Sequence, residues 1–136
     1  MSWVIYGATG YSGGLLAERA AEAGLKPLLS ARNEEKLKAV AQRLGLDYQV
    51  ADVNDSAALA ELATNTSVIV NCAGPFSATA NQVITACIAG KAHYIDITGE
   101  MSIFEYVQTP EISEAAKAAG IVVCPGAGFD VVPTDC

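Results

Sequence analysis

Apolar residues along the chain fall into short unbroken runs, separated by stretches in which they recur every three or four positions. The runs at 2–6 (SWVIY), 27–31 (PLLSA), 48–51 (YQVA), 67–72 (SVIVNC), 94–97 (YIDI) and 121–124 (IVVC) read as strands. Between them the spacing is helical. Leu15, Leu16, Ala20 and Ala23 share one face over 11–23, and Gly24 suits the left-handed stop. Asn33 is placed to cap a helix carrying Leu37, Val40, Ala41 and Leu44 and ending at Gly45. Asp55 opens a short helix to Ala63. Val83, Ile84, Cys87 and Ile88 mark a helix over 79–89 that ends at Gly90. A short helix is expected around 100–107, and Thr109 followed by Pro110 opens another that runs to Gly120.

The strands lack clean two-residue alternation, so both faces of their sheet are expected to be buried. That is the mark of a parallel sheet covered by helices on each side. Right-handed crossovers leave few topologies. The expectation is α/β, a doubly wound parallel six-stranded sheet of order 3-2-1-4-5-6, the Rossmann arrangement, with its ligand crevice between strands 1 and 4. Residues 1–136 then form one dinucleotide-binding domain.

The stretch VIYGATGYSGG, residues 4–14, fits that crevice. Gly7 permits a tight turn out of the first strand, Gly10 lets a bulky anion approach the backbone, and Gly13 lets the next helix pack close to the sheet. Thr9, Tyr11 and Ser12 complete the candidate loop. An ordinary glycine-rich turn would show the same letters; the repeated strand–helix alternation is what favours a dinucleotide.

Strand 2 should meet the adenosine ribose, and it ends in Ser30, Ala31 and Arg32 with no acid before Glu34. Lys36 lies one helical turn beyond Arg32. Ser30, Arg32 and Lys36 can converge on a 2′-phosphate, which favours NADP over NAD. A solvated basic helix end is the other reading. After strand 3, Asp52 can accept from an adenine amino group beside Val53, or simply close a turn. After strand 4, Asn71, Cys72, Ala73, Gly74 and Pro75 let the chain lie along the ribose and nicotinamide, although Asn71 can equally bond only its own turn.

Charge and composition narrow the partners. Fifteen acidic residues against eight basic ones give a net charge of −7, with no basic stripe for nucleic acid. No apolar run approaches the length of about 20 residues that spans a membrane. No leader-like segment precedes Trp3, so a cytoplasmic chain is expected. Cys72, Cys87, Cys124 and Cys136 form no Cys-x-x-Cys pair and His93 is the single histidine, so no metal site is expected. Cys72 and Cys124 end apolar runs and read as buried free thiols. No Lys has a Tyr four residues before it, which removes the Tyr/Lys acid of short-chain dehydrogenases.

The motifs GATGYSG, SAR, NCAGPF, YIDITGE and GFDVVPTD occur in that order. Together, over nearly the whole chain, they resemble the N-terminal NADP-binding domain of the saccharopine dehydrogenase-like oxidoreductases, which include the trans-acting enoyl reductases. The last two motifs are the more specific. The resemblance implies a Rossmann domain followed by a second, sheet-containing domain that closes over the nicotinamide and brings a small-molecule substrate. The chain would then be an excised N-terminal fragment, inactive alone and able to form a homodimer through surface its partner domain would cover. Gly14 stands where such loops often carry Arg, and SATANQ at 77–82 replaces a Tyr-Gly-Glu-Pro type of sequence. Asp96, Glu100 and Asp130 are the carboxylates of the matching motifs, each with a structural reading as a helix-start or turn residue. The expected function is NADP(H) binding for hydride transfer in a longer protein. A non-catalytic dinucleotide-sensing module, NmrA-like, is the alternative.

Overall fold

Strand and helix alternate throughout the computed structural model, which describes residues 2–74, 76–96 and 106–125. β1 (Trp3–Tyr6), α1 (Tyr11–Glu22), β2 (Leu28–Ala31), α2 (Glu34–Leu44) and β3 (Tyr48–Val50) form the first half. α3 (Ser56–Thr64) crosses to β4 (Val68–Asn71), α4 (Phe76–Gly90), β5 (His93–Asp96), α5 (Pro110–Ala119) and β6 (Val123–Cys124). The sheet order is β3-β2-β1-β4-β5-β6, every neighbour parallel, as the apolar runs predict.

Both faces of the sheet are covered. Val4, Tyr6, Ile69 and Tyr94 point toward Leu59 and Leu62 of α3, Val83 and Ile84 of α4, and Ile112 of α5. Ile5, Leu29 and Ala31 point the other way, toward Ala17 of α1 and Leu37 and Ala41 of α2. Each of the large aliphatic side chains so buried contributes about 1.5–3 kcal/mol. Because successive strand residues enter two different apolar layers, the sequence shows runs rather than alternation.

Helix ends follow local chemistry. Asn33 accepts from the Lys36 N–H at 3.1 Å and Asp55 from the Ala58 N–H at 3.1 Å. Gly24, Gly45 and Gly120 hold the left-handed conformation after α1, α2 and α5. Three expectations need correction. Thr109 stands at the start of α5, but its hydroxyl donates back to the Tyr106 carbonyl at 2.8 Å and caps nothing ahead of it. α4 begins at Phe76, three residues before the expected position; its first turn includes exposed Ala78 and so lacks the buried periodicity of the rest. α4 ends at Gly90 as expected, but not through a left-handed glycine. Lys91 takes the left-handed conformation instead, while a Cβ on Gly90 would lie 2.7 Å from the backbone of Ala63. That glycine is there to let α4 close on α3. β6 is shorter than expected, and most of the expected 100–107 helix lies outside the described residues.

Candidate functional site

β1 and β4 are neighbours in the sheet, yet α1 leaves toward one face and α4 toward the other. Their connecting loops therefore diverge and leave a crevice of about 480 Å3 at the strand ends. Gly7, Thr9 and Gly10 line one wall and Cys72, Ala73 and Gly74 the other. Arg32 stands at the β2 end, beside Val53. Tyr6, Asn54 and Thr79 also line it, and the sequence reading missed all three.

The three motif glycines do different work. Gly7 has φ +87°, and a Cβ there would fall 2.6 Å from the Ala73 nitrogen. A Cβ on Gly13 would fall 2.1 Å from the Gly7 carbonyl oxygen, so the start of α1 can approach β1 only without it. Gly10 is different. Its φ of −82° suits any residue, and a Cβ would have only the Gly7 oxygen near it, at 3.5 Å. The space above Gly10 is thus open to a ligand. Gly10 is also the N-cap of α1 and offers no side-chain acceptor, and the first turn of α1 carries no acid. The backbone N–H groups of Tyr11, Ser12 and Gly13 belong to that uncapped first turn, where a helix binds anions. α2, by contrast, has its Asn33 cap and two acids, Glu34 and Glu35, in its first turn.

Other predicted positions behave differently. Ser30 is fully buried and its hydroxyl donates to the Gln49 carbonyl at 2.6 Å, so it does not converge with Arg32. It follows the strand's inward face, which the pattern alone did not reveal. Lys36 is exposed on the first turn of α2 and does not line the crevice. Asp52 accepts from the Asn54 N–H at 2.8 Å, the turn-closing role that was its alternative. The Tyr11 side chain is 89% exposed and points to solvent. Of the arginines, Arg19 pairs with Glu22 and Arg43 with Glu18, whereas Arg32 forms no ion pair among the described residues. Pro75, Glu100, Asp130 and Cys136 lie outside the described residues. Of the two thiols expected to be buried, Cys72 is, but Cys124 is exposed because β6 is the edge strand; Cys87 is buried as well.

Strand register places Gln49, Ser30, Tyr6, Asn71 and Asp96 side by side across the sheet, directly beneath the crevice. These polar residues sit on one face of a largely apolar sheet, and each that is buried has a partner. Tyr6 donates to the Ala51 carbonyl at 2.8 Å. Burial pushes the Tyr6 phenol up to about 12, with the Asp52 charge adding to the rise and Arg32 opposing it. Asn71 binds its own turn through Ala73 N–H, as one reading expected, and also reaches Thr79 and Tyr94. Tyr94 donates to Asp96 at 2.5 Å, and burial followed by the Asp96 charge pushes its phenol far up. Burial, then Asp96, likewise pushes the Cys72 thiol up to about 11. The sequence held one signal of this cluster. Tyr94 and Asp96 are two apart in a strand, hence on the same face.

The crevice thus combines an open cradle over Gly10, an uncapped helix start and, at the β2 end, a guanidinium with no ion pair among the described residues. No described helix is long and apolar enough to cross a membrane. Comparisons with known proteins give the family. The family pattern described as "Saccharopine dehydrogenase NADP binding domain" matches residues 3–124. A saccharopine dehydrogenase-like oxidoreductase of Homo sapiens is 30% identical over 97% of this chain and 35% of its own length. A lipid droplet localized protein of Caenorhabditis elegans is 32% identical over 97% of this chain and 34% of its own. A trans-acting enoyl reductase of Mycobacterium ulcerans (strain Agy99) is 32% identical over 97% and 33%. The chain thus spans about a third of the length of the curated relatives it matches. Among solved structures, saccharopine dehydrogenase (L-Glu forming) from Saccharomyces cerevisiae superposes with a TM-score of 0.72 at 18% identity, covering 95% of this chain and 27% of that one. Citrobacter sp. triphenylmethane reductase complexed with NADP(H) gives 0.67 at 20% identity, covering 92% and 48%. With the family pattern matched from the first strand to the last, this chain belongs to the saccharopine dehydrogenase NADP-binding domain family, and NADP is its cofactor.

Proposed function

We propose that the chain is the cofactor-holding part of a longer NADP-dependent oxidoreductase, and that Arg32 holds the 2′-phosphate. Arg32 carries this reading: it lines the ribose end of the crevice and has no carboxylate partner among the described residues. The first-turn N–H groups of α1 hold the pyrophosphate, and the 72–74 loop runs beside the nicotinamide half. Bound NADPH supplies the hydride; the chain orients it and shields it from water. Substrate and any proton donor come from chain outside these residues, in keeping with relatives about three times as long. The proposal places the protein in the cytoplasm; the name of the Caenorhabditis elegans relative points to the rival placement, a lipid droplet surface.

Calorimetric titration of Arg32→Ala with NADPH and NADH tests it. A charge-assisted hydrogen bond of roughly 1.5–3 kcal/mol corresponds to about a 10- to 150-fold loss for NADPH. NADH, with no 2′-phosphate, should change little. Equal weakening of both cofactors would remove Arg32 from the phosphate site.

A further inference from the structure

Both backbone polar groups of Ala73 are gripped by side chains. Its N–H donates to Asn71 Oδ1 at 3.0 Å, and its carbonyl accepts from Thr79 Oγ1 at 2.6 Å. The first bond fixes which way the Asn71 amide faces. Asn71 Nδ2 then donates to Thr79 Oγ1 at 3.3 Å and to Tyr94 Oη at 3.1 Å. Each hydroxyl that accepts from it spends its own hydrogen elsewhere, Thr79 on Ala73 and Tyr94 on Asp96. All four side chains are buried, Thr79 being the most accessible at 8%. The hydrogens of this cluster have one consistent direction: one branch returns through Thr79 to the Ala73 carbonyl, and the other runs through Tyr94 to Asp96.

Ala73 in turn is packed on the opposite wall. The missing Cβ of Gly7 would meet its nitrogen at 2.6 Å and its own Cβ at 2.9 Å. The clamp on Ala73 therefore fixes the gap between the two crevice walls. In this fold the β2 side takes the adenosine ribose, so the β4 side takes the other half of the dinucleotide. We propose that Asn71 and Thr79 are positioning residues for the nicotinamide half of NADP, acting through the Ala73 peptide, with Tyr94 and Asp96 holding the Asn71 amide in place. This rests on the reading of the crevice as the NADP site.

Thr79→Val removes the hydroxyl at nearly constant shape, and Thr79→Ser keeps it. Each should be titrated with NADPH and with 2′,5′-ADP, which carries the adenosine half alone. The Val variant should bind NADPH about 3- to 10-fold more weakly, the weight of one neutral hydrogen bond. It should bind 2′,5′-ADP as the wild type does, and the Ser variant should match wild type for both. Equal losses for the two ligands, or no loss for either, would overturn the positioning role. So would a Val variant that fails to fold where the Ser variant folds, since the hydroxyl would then serve stability alone. A wild-type protein that binds neither ligand removes the NADP reading and this proposal together.

Discussion

The two walls of the crevice are made by opposite means. The wall from Gly7 to Gly13 depends on side chains that are missing: backbone packs on backbone at distances no Cβ tolerates. The opposite wall depends on side chains that meet, the polar atoms of Asn71 and Thr79 turned inward onto partners. A wall of the first kind is defined by residue type and local spacing. A wall of the second kind is defined by coincidences between positions far apart in the chain, such as Asn71 with Tyr94.

The largest effect should come from filling the first wall. Gly13→Ala puts a methyl 2.1 Å from the Gly7 oxygen, and the backbone on both sides must move. We expect a loss of about 3 kcal/mol or more in urea denaturation, together with loss of NADPH binding. A variant of wild-type stability would mean that α1 is not held against β1 in this way.

The second wall should instead be sensitive to alkali. The folded state keeps the Cys72 proton up to about pH 11, whereas a thiol in the unfolded chain loses it near 9.0. Between those values the folded protein binds more protons, so stability falls as pH rises, by an amount on the order of 2 kcal/mol for this thiol. Cys87, pushed up to about 12 by burial, adds to the decline. Cys72→Ala should flatten part of that slope between pH 9 and 11. An unchanged slope would show that the thiol is more solvated than its position implies.

Gly10→Val should have the smallest effect on the fold and a complete effect on binding. Gly10 is an extended N-cap residue with open space beside it, so the cost in stability is at most about 1 kcal/mol. Its side chain would occupy the place read as the pyrophosphate seat. Thermal melts and NADPH titration of the same preparation separate the two, and undiminished affinity would move the anion elsewhere.

Much of this was legible in the sequence. The strand order followed from the alternation of elements, and the caps at Asn33 and Asp55 from residue type. The glycine wall followed from a spacing of three. The polar wall was only half legible. Asn71 announced itself at a strand end, but its link to Thr79 needs α4 to begin at Phe76, and the apolar pattern starts later. Ser30 misled because a small polar residue near a strand end looks available to a ligand. Its register against Gln49 turns it inward, and register is a property of two strands at once. Gly90 marks the end of α4 as its residue type suggests, but its close contact with Ala63 depends on a second helix that local sequence does not show.

The polar row across the strand ends also bears on how the sheet assembles. Ser30, Tyr6, Asn71 and Asp96 are level with one another only when the β2–β1, β1–β4 and β4–β5 registers are all native. A slip of one residue between β1 and β4 would turn Asn71 toward the apolar layer of Ile5, Ala17 and Leu37. There its amide would find no partner, at a cost of about 1–3 kcal/mol, and Tyr94 would lose one of its own. Slips that an all-apolar sheet would tolerate are thus penalised at several strands together. The row marks the native register energetically, independently of any cofactor.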